Sequence, residues 1–227
     1  MSLRRAVVLS GGPTHDFPAT TACLTELLAE QGLTAEVHED IDAGLRALPG
    51  AALLVVNALR WTMTCPGTPD RYRVQAAELG CSPAPDARSA LEEHLAAGGG
   101  LLAMHTASIC FDDWPEWGAA VGGAWRWGHS SHPPLGPLQI EVCADHPLVA
   151  GLDDFAIEDE RYSDLDLAAD VQPLLQCAGQ PLLWAREHGG GRVVYDALGH
   201  HPPSYEVPQH REIVRRAITW TSGEGTA

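Results

Sequence analysis

The stretch Gly98-Gly99-Gly100-Leu101-Leu102-Ala103-Met104-His105-Thr106-Ala107 constrains this chain more than any other. A helical pattern through Leu91 and Leu95 runs into three glycines, and a short apolar run follows, ending on a histidine backed by small residues. That order reads as helix, tight turn, buried strand and sharp corner. The corner delivers one polar side chain, His105, to the carboxyl end of a strand. In open α/β sheets that edge is where ligands bind.

The rest of the chain supplies the sheet. Apolar runs at 5–10, 34–38 and 51–57 read as strands, separated by helical spacing at 19–30 (Cys23, Leu24, Leu27, Leu28) and a short helix at 42–48. His15-Asp16-Phe17 falls in the loop after the first strand. This alternation predicts a parallel sheet with helices on both faces. Residues 58–85 form a long Pro- and Gly-containing segment, a length usually functional or mobile, and Asp86 is the expected cap of the helix before the glycines. Helix is expected over 107–121, although Pro115 must lie near a helix start. An aromatic and histidine-rich loop follows at 122–132. Strands are expected at 138–143, 155–162, 171–176, 181–186 and 192–198, then a closing helix at 209–220 and a frayed tail from Ser222. No repeat or linker divides the chain, so 1–227 is read as one domain.

With 45% hydrophobic residues in 227, the chain can bury a sizeable core. No run approaches the ~18–20 apolar residues of a membrane span. The basic start, residues 1–5, precedes an apolar run too short for a signal peptide, so a cytoplasmic protein is expected. Asp and Glu outnumber Lys and Arg by 30 to 14, a net charge of −16. That charge repels phosphate backbones and anionic lipid, which argues against nucleic-acid and membrane partners and for a neutral or cationic small ligand. The six cysteines are scattered without a C-x-x-C pair, as reduced structural thiols would be.

Several motifs are absent. No G-x-G-x-x-G follows the first strand, Gly98–Gly100 precedes a strand instead of opening a helix, and there is no P-loop, H-E-x-x-H or G-x-S-x-G. Three histidines, His105, His129 and His200, stand at strand ends or Gly-rich corners. Strand alternation puts Glu160 and Tyr162 on one face and Asp159 on the other. Three imidazoles and a carboxylate suit zinc or another first-row divalent ion, with His105, His129 and His200 as ligands, although no short H-x-H or H-x₃-H pair is present. Trp61, Trp125 and Trp184 could wall a small-ligand cleft. The plainer reading has the tryptophans as packing, Glu158-Asp159-Glu160 as a solvated edge, and His38, His94, His188 and His210 on the surface.

These residues carry a resemblance. Gly100–Ala107, Gly122-Gly123 with His129, Asp145-His146-Pro147 with Gly151-Leu152, Asp159-Glu160 with Tyr162, Pro181 with Trp184, and Gly191–Tyr195 with Leu198-Gly199-His200 resemble the trehalose-utilisation (ThuA-like) family. That family lies within the class I glutamine amidotransferase-like fold. The resemblance implies a flavodoxin-like three-layer sandwich with a mostly parallel central sheet. It also makes the corner at His105 the counterpart of the amidotransferase nucleophile elbow, which carries a cysteine in a Gly-x-Cys-x-Gly setting. With Met104-His105-Thr106 there, glutamine hydrolysis through a thioester is not expected. The implied role is disaccharide catabolism, especially of trehalose-like sugars oxidised at C3.

Three functions remain open at this point. The first is a sugar-modifying hydrolase, lyase or isomerase with His105, His129, Glu160 and His200 at its centre: a histidine as general base, Glu160 as general acid or orienting carboxylate. Tyr162 would hydrogen-bond the sugar, and Trp61, Trp125 or Trp184 would stack on it. The second is a non-catalytic module on the same fold that binds a sugar or a metal. The third is a hydrolase using Cys110, five residues past His105. A homodimer is the commonest assembly for such folds.

Overall fold

The computed structural model describes residues 4–223. The first half alternates as expected: β1 (Arg4–Gly11), α1 (Phe17–Glu30), β2 (Leu33–His38), α2 (Ile41–Arg46) and β3 (Leu53–Ala58). Next come two short helices, α3 (Asp70–Arg73) and α4 (Ala76–Leu79), then α5 (Pro85–Ala96) and β4 (Gly100–Met104). The second half holds α6 (Pro115–Val121), β5 (Gly123–Ala124), β6 (Gly136–Val142), β7 (Phe155–Asp159), β8 (Asp166–Leu167), β9 (Pro173–Cys177), β10 (Gln180–His188), β11 (Gly191–Asp196) and α7 (Pro208–Thr221). No helix among the described residues is long and apolar enough to cross a membrane.

One nine-stranded sheet runs in the order β2-β1-β3-β4-β11-β10-β9-β6-β7, with β5 and β8 as a separate ribbon. The strands from β2 to β11 pair in parallel, and the remaining pairings are antiparallel. Because two antiparallel steps restore direction, β9 and β7 point the same way as the parallel half, and only β10 and β6 oppose it. The carboxyl ends of β1, β3, β4, β11 and β7 therefore share one edge. The core strands explain their own placement. β3 and β4 are buried along their full length, as strands covered on both faces must be.

The glycine run does what its position demands. Gly98 takes φ +83, a conformation that L side chains rarely adopt. A Cβ on Gly99 would enter the His94 ring, and one on Gly100 would strike the Thr221 carbonyl at the end of α7. The turn is thus packed on His94 and on the end of α7.

Four local expectations change. α5 starts at Pro85 with Ala84 as its N-cap; Asp86 sits in the first turn and pairs with Arg46 at 2.6 Å. The segment expected as helix over 107–121 is a 3₁₀ turn (His105–Ile109) and then α6, which opens on Pro115, with Phe111 at φ +54 between them. His94 and His210 are buried, not at the surface. Ser222 is buried as the C-cap of α7, and the rest of the expected tail, 224–227, lies outside the described residues.

Candidate functional site

His105 is the first residue past β4. It has φ +44, a left-handed backbone that costs a non-glycine residue roughly 1–3 kcal/mol. Two buried bonds hold it there. The Tyr195 hydroxyl donates to the His105 carbonyl at 2.8 Å, and His105 Nδ1–H donates to the Ala197 carbonyl at 2.7 Å. A carbonyl can only accept, so the second bond fixes the tautomer and leaves the Nε2 lone pair free.

Three other elements bring groups to that lone pair. His200, four residues past β11, has Nδ1 3.3 Å from His105 Nε2. Glu160, one residue past β7, has Oε2 3.5 Å from His105 Nε2 and 3.4 Å from His200 Nδ1. His15, in the loop after β1, packs its ring edge-on against His105 and His200, with centroids 5.2 and 4.7 Å apart. One donor atom from each of His15, His105, Glu160 and His200 lies within 4.8 Å of all the others. His15 Nε2 and Glu160 Oε2 are shut off from solvent with no hydrogen-bond partner. Two more polar groups border the cluster: Tyr162 OH, 3.4 Å from His105 Nε2, and His132 Nδ1, 3.3 Å from Glu160 Oε1 at the solvent rim.

β7 is the last strand in hydrogen-bonding order, yet its end meets the loop after β11 because of Asp159. This carboxylate is fully buried. Oδ2 accepts the Gly199 N–H at 2.8 Å and the Ser204 hydroxyl at 2.6 Å, and Oδ1 accepts the Glu160 N–H at 2.8 Å. The sheet is thus curled over its carboxyl edge and clasped. Of the three acids read as a solvated edge, only Glu158 is exposed.

Burial and neighbours set the charges. Burial pushes the Glu160 carboxyl up, but the adjacent His105 and His200 imidazoles outweigh it and hold the group well below the usual carboxylate range. The Glu160 carboxylate, 3.4 Å away, raises His200 above an ordinary imidazole, against the pull of burial. His15 is pushed down to about 3 by burial and by the neighbouring His105 and His200, so it is neutral. Burial raises Tyr162 far above an ordinary phenol and keeps it a hydrogen-bond donor.

A family model described as trehalose utilisation, ThuA, matches residues 5–221. The chain belongs to the ThuA family. Among solved structures it is similar to a ThuA-like protein from Parabacteroides merdae, at 16% identity and TM-score 0.78, covering 100% of this chain and 92% of that one. A ThuA-like protein from Bacteroides uniformis matches at 17% identity and TM-score 0.68, covering 96% and 91%. A β-galactosidase from Rahnella matches at 14% identity and TM-score 0.64, covering 96% of this chain and 31% of that one. At these identities the likeness is one of fold. No curated protein matches in sequence.

Within this ThuA fold, the residues singled out from sequence divide. His105, Glu160, His200 and Tyr162 converge. His129 does not: it is exposed in a turn, its N–H bonded to Arg126 O, and it is not part of the donor cluster. His132 and His15 stand at the cluster instead. Trp125 packs on Tyr162 at 5.1 Å. Trp61 is fully buried against Tyr72 and Trp127, and Trp184 is fully buried against Tyr195 with its indole N–H on Val121 O; both are packing residues. Cys110 is fully buried, bonded to Ala58 O at 3.1 Å and pushed by burial up to about 12, so it is no nucleophile.

Proposed function

We propose that His15, His105, Glu160 and His200 form a centre for one divalent metal ion, zinc or a first-row neighbour. On this reading the protein is an enzyme that works at a carbonyl-bearing sugar. One observation carries it. His105 Nε2, His200 Nδ1 and Glu160 Oε2 stand 3.3, 3.4 and 3.5 Å apart. Tetrahedral donors at zinc's ~2.0–2.2 Å bond lengths stand about 3.3–3.6 Å apart. The unpartnered His15 Nε2 supports a fourth ligand, and the bond from His105 Nδ1–H to Ala197 O is the outer contact that orients a ligating imidazole.

A divalent ion there supplies a Lewis acid able to polarise a carbonyl oxygen. The chain supplies the rest. Tyr162, kept protonated by burial, donates a hydrogen bond to a substrate oxygen. His132, open to water on one side and 3.3 Å from Glu160 on the other, carries protons in and out. Trp125 offers an aromatic wall. With membership of a family described as trehalose utilisation, this favours a disaccharide or its 3-keto derivative as substrate, with hydrolase, lyase or isomerase chemistry.

Elemental analysis of protein purified without a histidine tag tests the centre. One bound divalent ion per chain, lost in His200→Ala, is expected; substoichiometric metal after incubation with zinc, cobalt or manganese overturns it. Turnover is tested with trehalose and 3-keto disaccharides. Stabilisation of the metal-loaded protein by these sugars without product would move the assignment to the binding module.

A further inference from the structure

In a parallel sheet ordered 2-1-3-4-5, ligands bind where the strand order reverses, between β1 and β3. This chain has that order from β2 to β11. At the switch point lies a cleft of about 550 Å³, walled by the loop after β1, by α1 and by Arg60, two residues past β3. That volume suits a small-molecule site. His15 lines the cleft as well as the His/Glu cluster, so the two are contiguous.

Arg60 is the chemically specific wall. The chain has no lysine, so its 14 arginines are its only permanent side-chain cations. Half are occupied: Arg5, Arg46, Arg88, Arg186, Arg211, Arg215 and Arg216 are all in ion pairs. The Arg60 guanidinium makes no hydrogen bond or ion pair with any described residue, and its Nε is closed off from solvent. It lies over Gly11, where any Cβ would come within 3.0 Å of its terminal nitrogen. Glu39 borders the same cleft without pairing to it. A partly buried, unpaired guanidinium forfeits hydration that a bidentate anion restores.

We propose that this cleft seats the non-reacting end of the substrate, and that Arg60 takes an anionic group there, the carboxylate or phosphate of a sugar acid or sugar phosphate. This rests on reading the His/Glu cluster as the reactive centre. It also reverses locally what the net charge of −16 predicts, a neutral or cationic ligand.

The test is calorimetric titration of the metal-loaded protein at fixed ionic strength with gluconate, glucose 6-phosphate and the neutral glucitol. Wild type is compared with Arg60→Met and Arg60→Gln. One or both anions are expected to bind wild type more tightly than glucitol and to weaken about 10- to 100-fold in both variants, as for lost charge-assisted bonds. The anion that responds distinguishes carboxylate from phosphate. No binding of either anion to wild type, equal binding to wild type and variants, or an equal loss for glucitol overturns the proposal. Metal content measured on the same samples separates the two readings. Arg60-dependent anion binding without metal uptake would remove the metal centre and leave the cleft.

Discussion

Asp159→Asn tests the clasp that assembles the site. The wild-type carboxylate receives the Gly199 N–H and Ser204 O–H on Oδ2 and the Glu160 N–H on Oδ1, with no water access. An amide in the same place turns an NH₂ toward one of these sets of donors. Ser204 can escape, since its hydroxyl already lies 3.1 Å from His201 Nδ1. A backbone N–H cannot. A lost bond to a charged acceptor is worth about 1.5–3 kcal/mol and a stranded buried N–H about 1–3 kcal/mol. Removing a buried carboxylate that no cation touches directly returns part of this. The net expected loss is about 2–3 kcal/mol, or a fall in Tm of roughly 4–12 °C for a chain of this size. Urea unfolding should show the midpoint falling at constant m, while Glu158→Gln on the exposed neighbour leaves it in place. Because Asp159 also sets Glu160 against His200, cobalt affinity should fall about 10- to 100-fold, as for other residues that orient ligands. A midpoint within about 0.5 kcal/mol of wild type would show that the curled edge is held by something other than this carboxylate.

Two further predictions concern buried titratable groups. Burial alone would lower His210, but Asp196, 3.1 Å away, raises it above the ordinary 6.5. A raised folded pKa gives stability that is complete below the unfolded value and is lost as pH climbs through the folded one. Unfolding from pH 6 upward should therefore show wild type converging on His210→Asn as pH rises; a constant or widening gap refutes the pairing. Cys110, pushed up to about 12 and buried, should resist iodoacetamide in the native protein at pH 8 while exposed Cys143 reacts. Native modification of Cys110, mapped by peptide mass, would reopen a thiol mechanism.

The sheet was legible because its strands are short apolar runs closed by turn residues, and burial on both faces forces that composition. His105 and His200 were legible as the polar residues just past such runs. Glu160 and Tyr162 followed from strand alternation, and they stay together although β7 stops at Asp159. Loops carry no period. Nothing in the spacing separates His129 from His132; the backbone bridge between Ser131 and Ser163 does, by pinning the loop beside Tyr162. His15 too follows an apolar strand and a tight corner, but the loop that holds it has no period to mark it. Two buried histidines do carry a period. His210 stands three, four and seven residues before the buried Ile213, Val214 and Ala217, and His94 three after the buried Leu91, so helical spacing alone puts both on buried faces.

The histidine at the β4 corner can now be weighed against the cysteine that the amidotransferase pattern puts there. The elbow geometry does not depend on which residue occupies it. Tyr195 holds the strained φ through the backbone carbonyl of residue 105, a bond any residue there can accept, while the bond from Nδ1–H to Ala197 O is the histidine's own. What a histidine changes is reach and chemistry. A thiolate attacks from the corner and forms a bond of its own, whereas an imidazole locked as the Nδ1–H tautomer presents a lone pair and needs partners to do anything with it. Those partners come from three separate strand ends, and one of them, Glu160, arrives only because the far edge of the sheet is folded back and tied through Asp159. The elbow and the clasp are therefore one device. A chain that kept His105 but lost the clasp would keep the fold's parallel half and have no assembled site, which makes Asp159 a better mark of this chemistry than the histidine itself.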